Sequence, residues 1–409
     1  KSRDGKLSRT ISSQVPRRFT PVERITPIGP DHSARLGRFA LKKLLVLVLL
    51  AVVCGVGGYA FFGSRKIPGK GGRNNEQIVA RLEQFLAEEQ QSGFAGVVLV
   101  VRGDDVLLKK GYGLADREND VPYTEDTVFT VGSITKQFTG AAVMALVMDG
   151  KLSVDDTLDQ FFTDVPPDKR AITIHQLLTH TAGFPDALGD DFDVNATKQW
   201  MLQAAMKFEL LHPPGEKHRY SNTGYCLLAA IIEEVSGERY EEYLRRRLFE
   251  PAGMYQTGIV LPEYDPKVLA VGYEGDTRWG TIHEKPMLPD GPTWNLLGGG
   301  GIHSTVGDIL RWHRALQGNE ILSEEVKKQY FAPHVDEGYG DSYYGYGWVN
   351  WETDWGSRLL SHNGGNGYFA ADCHRYVDDD ALIFVATNGD VKAWDLMDRL
   401  ETIALDCEK

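Results

Sequence analysis

Apolar positions recur along the chain in three kinds of pattern. The first is an unbroken run: from Leu44 to Phe62, nineteen residues pass without a charge. At about 1.5 Å per helical residue such a run would span roughly 28 Å, close to the ~30 Å hydrocarbon core of a bilayer. Lys42 and Lys43 stop it on one side, Arg65 and Lys66 on the other. The pattern predicts a transmembrane helix over 44–62. A buried core helix and a cleaved signal peptide compete with it, but a leader of 43 residues is too long and no small-residue cleavage site follows.

The second pattern has the helical period and the third alternates. Ile78, Leu82, Phe85 and Leu86 share one face, which predicts an amphipathic helix over 76–90. Val97–Val101 and Val106–Lys110, joined through Gly103-Asp104-Asp105, predict a β-hairpin. Helical patterns dominate from about 133 to 317. Strand patterns return near 344–350, 357–361, 367–374 and 381–387, and a last helix is expected over 392–406. Strands at both ends with helices between them imply one antiparallel sheet assembled from the two ends, flanked by helices, plus a helical insertion. That is an α+β fold rather than a repeating βαβ chain.

Charge divides the chain at the apolar run. Residues 1–43 carry a balance of +8 and the remainder −21. So acidic a body is a poor partner for nucleic acid, whose phosphates need clustered cations. The Ser-, Arg- and Pro-rich tail over 1–43 reads as disordered, 63–75 as a flexible linker and 76–409 as the folded domain. The basic tail favours an N-terminus inside the cell. The twenty residues on either side of the run hold five Lys or Arg each and do not discriminate. Four cysteines exclude a disulfide framework; Cys226 reads as a small core residue, and Cys373 and Cys407 could pair outside the cytoplasm. With no C-x-x-C and no H-E-x-x-H, no metal or other cofactor is expected.

Three motifs carry chemistry. In Ser133-Ile134-Thr135-Lys136, Gly132 and Ser133 fall where a helix should begin, where free N–H groups favour an oxyanion. Residues three apart share a helix face, so the Lys136 amine can reach the Ser133 hydroxyl. A serine needs a base, and a lysine serves only if burial or a nearby cation keeps it partly neutral. Alone, an S-x-x-K arises about once by chance in a chain of this size. Tyr220-Ser221-Asn222 precedes a helix that Asn222 or Thr223 can cap and that stops at Gly237. A Tyr220 oxygen beside Lys136 would be drawn toward the phenolate and could relay a proton; alone, it is an ordinary packing residue. In the run His362–Tyr368, Gly364 and Gly365 permit close backbone approach, and an edge-strand N–H of Gly365 could complete an oxyanion hole. A Gly-rich turn with a surface histidine is the plainer reading of that motif.

S-x-x-K, Y-x-N and H-x-G in this order resemble the penicillin-recognising serine hydrolases. Within them the chain is similar to the class C β-lactamase, D-alanyl-D-alanine carboxypeptidase and family VIII esterase branch. GYGLAD at 111–116, LLTHTAGFP at 177–185, PPGEKHRYSN at 213–222, PAGMYQT at 251–257 and GGGIHSTVGDILRW at 299–312 extend the likeness over about 78–407. The resemblance implies Ser133 as acylated nucleophile, Lys136 as its base partner and Tyr220 as general base and acid. It implies an oxyanion hole from the N–H groups of Ser133 and Gly365, with Asn222, His362 and Gly364 at the substrate. His362 stands where β-lactamases carry a lysine, which disfavours β-lactams and favours a small ester, amide or D-amino-acid peptide. The resemblance also places the body outside the cytoplasm, held to the membrane through 44–62. A β-lactamase or cell-wall peptidase, and a non-catalytic binding protein, are the competing functions. Gly298–Gly301 is expected to turn beside the pocket, and loops 185–212 and 255–298 to shape it. His180 is expected to be structural, and Trp348, Trp351 and Trp355 to line an acyl pocket or to pack. The oligomeric state is open.

Overall fold

The first ordered helix shows how the periodicity is spent. In the computed structural model, which describes residues 75–289 and 291–406, α1 (Asn75–Gln91) buries Ile78, Leu82 and Leu86 and exposes its polar face. The 44–62 run, the basic tail and Cys407 lie outside the described residues. Among those residues no helix is long and apolar enough to cross a membrane.

After α1 come β1 (Gly96–Arg102) and β2 (Asp105–Tyr112). Helices α2 (Thr135–Met148), α3 (Ile174–Leu178) and α4 (Asn222–Ser236) follow. The chain then returns through β3 (Val335–Asp336), β4 (Tyr343–Tyr344), β5 (Val349–Glu352), β6 (Arg358–Gly365), β7 (Ala370–Tyr376) and β8 (Ala381–Thr387) to α5 (Ala393–Ala404). These eight strands form one sheet in the order β2-β1-β8-β7-β6-β5-β4-β3. Every neighbouring pair is antiparallel. The two ends of the body therefore meet in it: Gly96 of β1 pairs with Thr387 of β8, and Arg102 with Ala381.

Strand alternation sorts the side chains into two layers. Val97, Leu99, Leu382 and Phe384 join a core that includes Phe138, Ala142 and Leu146 of α2 and Leu227 and Ile231 of α4. Val98, Val100, Ile383 and Val385 face Leu82 and Leu86 of α1 and Leu396 and Leu400 of α5. β8 is buried at every position, as a strand covered on both faces must be.

Two expectations of element position are corrected. The strand expected over 344–350 is broken between β4 and β5. There Gly347, at φ +86°, passes so close to α2 that a Cβ would lie 2.3 Å from the Lys136 carbonyl oxygen. The helical stretch over 133–317 is also less helical than its apolar spacing implies, because many of its buried residues sit in loops such as Ala182–Pro185 and Trp294–Leu297.

Candidate active site

Ser133 does not open α2 directly. It sits in a single 3-10 turn, Gly132–Ile134, and α2 continues from Thr135. Gly132 has φ +52°, and a Cβ there would lie 2.5 Å from the Gly365 amide nitrogen. A Cβ on Gly364 would lie 2.2 Å from the Val131 carbonyl oxygen and 2.4 Å from the Ser133 nitrogen. The end of β6 is thus pressed backbone to backbone against the serine turn, and only glycine allows it. β6 is not the edge strand expected from sequence: it lies between β5 and β7, and Gly365 pairs with Ala370.

Three residues on, Lys136 is fully buried. Its amine lies 3.2 Å from Ser133 Oγ and donates to Asn222 Oδ1 at 2.6 Å and to the Gly299 carbonyl at 2.8 Å. It also faces the rings of Tyr220 and Tyr225, at 4.7 and 5.4 Å from their centroids. Burial pushes its pKa down to about 7, against the opposing fields of Cys226, Asp186 and Asp191. The glycine run acts here through its backbone: Gly298 at φ +80° brings the Gly299 carbonyl onto the amine. Asp186 Oδ1 accepts from Asn222 Nδ2 at 2.9 Å, which turns the amide oxygen toward Lys136.

Tyr220 lies just before α4. The cap of that helix is Ser221, one residue earlier than expected: its hydroxyl accepts from the Gly224 N–H at 3.0 Å and donates to the Pro185 carbonyl at 2.7 Å. His180 clasps both neighbours of Tyr220. Its carbonyl accepts from the Arg219 N–H at 2.9 Å, and its Nδ1 accepts from the Ser221 N–H at 3.1 Å. Its ring packs 4.4 Å from that of Tyr220. Burial raises the Tyr220 pKa above the usual phenol range, against a hydrogen bond with Ser133 that lowers it. Burial thus favours the phenol form of Tyr220, opposing the drift toward phenolate expected from sequence.

His362 also departs from its expected place. It is buried near Tyr220, with ring centroids 6.4 Å apart, and lines neither lobe of the cleft. Its Nδ1 donates to the Asn363 carbonyl at 2.6 Å, so Nε2 is left to accept from the Tyr344 hydroxyl at 2.9 Å. Burial and the nearby Lys136 push its pKa down to about 3, so it is neutral and offers no cation to a ligand.

The cleft has two lobes that meet at Ser133 and Gly365. The smaller, about 70 Å³, is lined by Asn222, Asp191, Phe192, Ile282 and Leu296. Loops 185–212 and 255–298 supply Asp191, Phe192, Ile282, Asn295 and Leu296 to this lobe and no residue to the larger one, so they shape only part of the pocket. The larger, about 400 Å³, is lined by Tyr220, Asn363, Phe369, Lys392 and Trp394. Trp348 is instead a core residue, Trp351 donates to Ser361 Oγ and Trp355 to Asp379 Oδ2; none of the three lines either lobe. Cys226 is buried in the core. Among the described residues, no group of three or more His, Cys, Asp or Glu is placed to hold a metal.

A hydroxyl, a buried amine and a phenol thus converge on one cleft from segments far apart in the chain. Comparison with known proteins gives that convergence a lineage: the Beta-lactamase family model matches residues 78–408. The chain belongs to the beta-lactamase family. Penicillin-binding protein 4* of Bacillus subtilis (strain 168) is 30% identical over 336 residues, 77% of this chain and 72% of that protein. A putative D-alanyl-D-alanine carboxypeptidase of Escherichia coli O157:H7 is 27% identical over 352 residues, 75% of this chain and 80% of that one. Among solved structures, a penicillin binding protein from Bacillus halodurans superposes with a TM-score of 0.68 at 29% identity, covering 78% of this chain and 99% of that one. The eight-stranded sheet with helices on both faces is the fold of this beta-lactamase family member.

Sequence reasoning missed Asp186 and the clasp role of His180. The signal for the first was near: the stretch LLTHTAGFP ends one residue before Asp186.

Proposed function

We propose that this beta-lactamase family member is a membrane-anchored serine hydrolase that works through an acyl-enzyme on small esters, amides or D-amino-acid peptides. The observation that carries the reading is the hydrogen-bond count at Lys136. A neutral amine has two N–H bonds and one lone pair. Asn222 Oδ1 and the Gly299 carbonyl take the two N–H bonds, and the lone pair remains for the Ser133 hydroxyl at 3.2 Å. With a pKa of about 7 the amine is neutral in a large fraction of molecules near neutral pH.

Lys136 takes the serine proton as Oγ attacks the carbonyl carbon. The N–H groups of Ser133 and Gly365 receive the oxyanion. Tyr220, held as a phenol, protonates the leaving group and recovers the proton by way of Lys136. Water then attacks the acyl-enzyme and regenerates Ser133. The neutral, buried His362 brings no charge of its own to a β-lactam carboxylate, which favours esters and peptides over β-lactams.

The protein should hydrolyse a short p-nitrophenyl ester and take up a fluorophosphonate label, and Ser133→Ala should do neither. Equal turnover by the variant would remove the reading, and a chromogenic cephalosporin turned over rapidly would remove its preference for esters and peptides. The 44–62 run supports an anchor, and the basic tail before it favours a body outside the cytoplasm. Protease added outside intact cells should digest the body; protection would reverse the orientation.

A further inference from the structure

We infer that the cleft is sorted by charge about Ser133, so that its substrates are short acyl compounds with a cationic amine on the acyl side and a carboxylate on the leaving group. This rests on the acyl-enzyme reading above and names the substrate class of that same site.

The direction of the cleft follows from its proton donor. Tyr220 lines the larger lobe and not the smaller, whereas Asn222 lines the smaller and not the larger. A leaving group must depart toward the group that protonates it, so it occupies the larger lobe. The acyl part then falls in the smaller lobe.

One charged residue lines each lobe, and the signs are opposite. Lys392 lines the leaving-group lobe. Its ammonium is fixed by donating to the Gly367 carbonyl at 2.9 Å and the Gly389 carbonyl at 2.8 Å. Both partners are neutral carbonyls, and one of its three N–H bonds remains for a ligand. His362 supplies no charge to this lobe, being neutral, buried and absent from its lining. Asp191 lines the acyl lobe beside the uncharged Asn222, Phe192 and Leu296. Burial and the neighbouring Asp190 push its pKa up to about 6, against the field of Lys136, so it is still mostly ionised at neutral pH. An amine on the acyl group would meet this acidic wall, and a carboxylate there would be repelled. The same carboxylate in the other lobe would meet Lys392.

The test uses full-length protein and four alanyl thioesters, each in both enantiomers. The amine is free or acetylated, and the leaving group is thioglycolate or its carboxamide. Attack by Ser133 forms the ester at Oγ and breaks the C–S bond. The thiol departs with a proton, water releases the acid, and a thiol-reactive chromophore reads the product. In the wild type, masking either charge should lower kcat/KM by about 10-fold. The carboxylate preference should collapse toward 1 in Lys392→Gln, which keeps donors for both carbonyls, and persist in Lys392→Arg. The amine preference should collapse in Asp191→Asn. Equal turnover of all four thioesters by the wild type, or preferences that survive both charge-removing variants, would overturn the inference while leaving the acyl-enzyme reading intact. No thiol release from any thioester, with no fluorophosphonate label on Ser133, would overturn both.

Discussion

At the scale of single residues, the chemistry turns on how far Lys136 is stripped of water. Its pKa near 7 gives the sign of a pH effect: the base is the neutral amine, whose fraction rises with pH. On an uncharged ester, kcat/KM should climb about tenfold per pH unit below 7 and level off above it; a flat profile would exclude Lys136 as the base. Lys136→Arg keeps the charge but cannot give up its proton, and should lower kcat by about 10²–10⁴. His180 makes a separate prediction. It holds φ +58° and offers Nδ1 to the Ser221 N–H. Asparagine tolerates that backbone and can present an oxygen to the same N–H. His180→Ala should reduce kcat with little change in KM, and His180→Asn should recover part of the loss. Equal loss in both would mean that the ring's bulk, not its acceptor, matters. Ser133 and Lys136 were legible in sequence because one helical turn links them. Asp186 and His180 were not, because each meets the catalytic segment across 36 to 41 residues of chain and no local period records such a contact.

Elements were legible where their periodicity served a single layer. The hairpin and β8 follow their apolar runs closely, and α1 and α5 lie within a residue or two of the expected bounds. The region between β2 and β3 was harder to read, because its loops bury apolar residues with no period at all. One tie between elements carries a pH dependence. His374 on β7 lies 2.8 Å from Glu401 on α5 and 3.3 Å from Asp372. Burial alone would lower its pKa, but the fields and hydrogen bonds of Asp372 and Glu401 prevail and raise it to about 9. The folded pKa lies above the unfolded value, so the stabilisation is complete below about pH 6.5 and is lost as pH rises through about 9. The tie is worth at most about 3 kcal/mol. Urea unfolding at pH 6 and pH 10 should show a smaller difference in Glu401→Gln than in wild type. An unchanged difference would place the pH dependence elsewhere.

For the whole molecule, the sheet depends on both ends of the body. β8 lies between β1 and β7, so a chain stopped after Asp380 would leave two half-sheets with open edges and an uncovered core. Such a truncation should lose cooperative thermal unfolding and bind a hydrophobic dye; a sharp transition would mean that the half-sheets are stable apart. The α+β class was legible because strand patterns cluster at the two ends, whereas the order of strands was not, since alternation says which face a strand buries and not which neighbour it takes. The pairing of Gly96 with Thr387 has a consequence in time. At roughly 5–20 residues per second, a ribosome would need about 15–60 seconds after making β1 to deliver its partner. Throughout that interval the nascent hairpin has an open edge and an apolar flank, so the chain's exposure to chaperones and to misassembly is greatest before its final strand emerges.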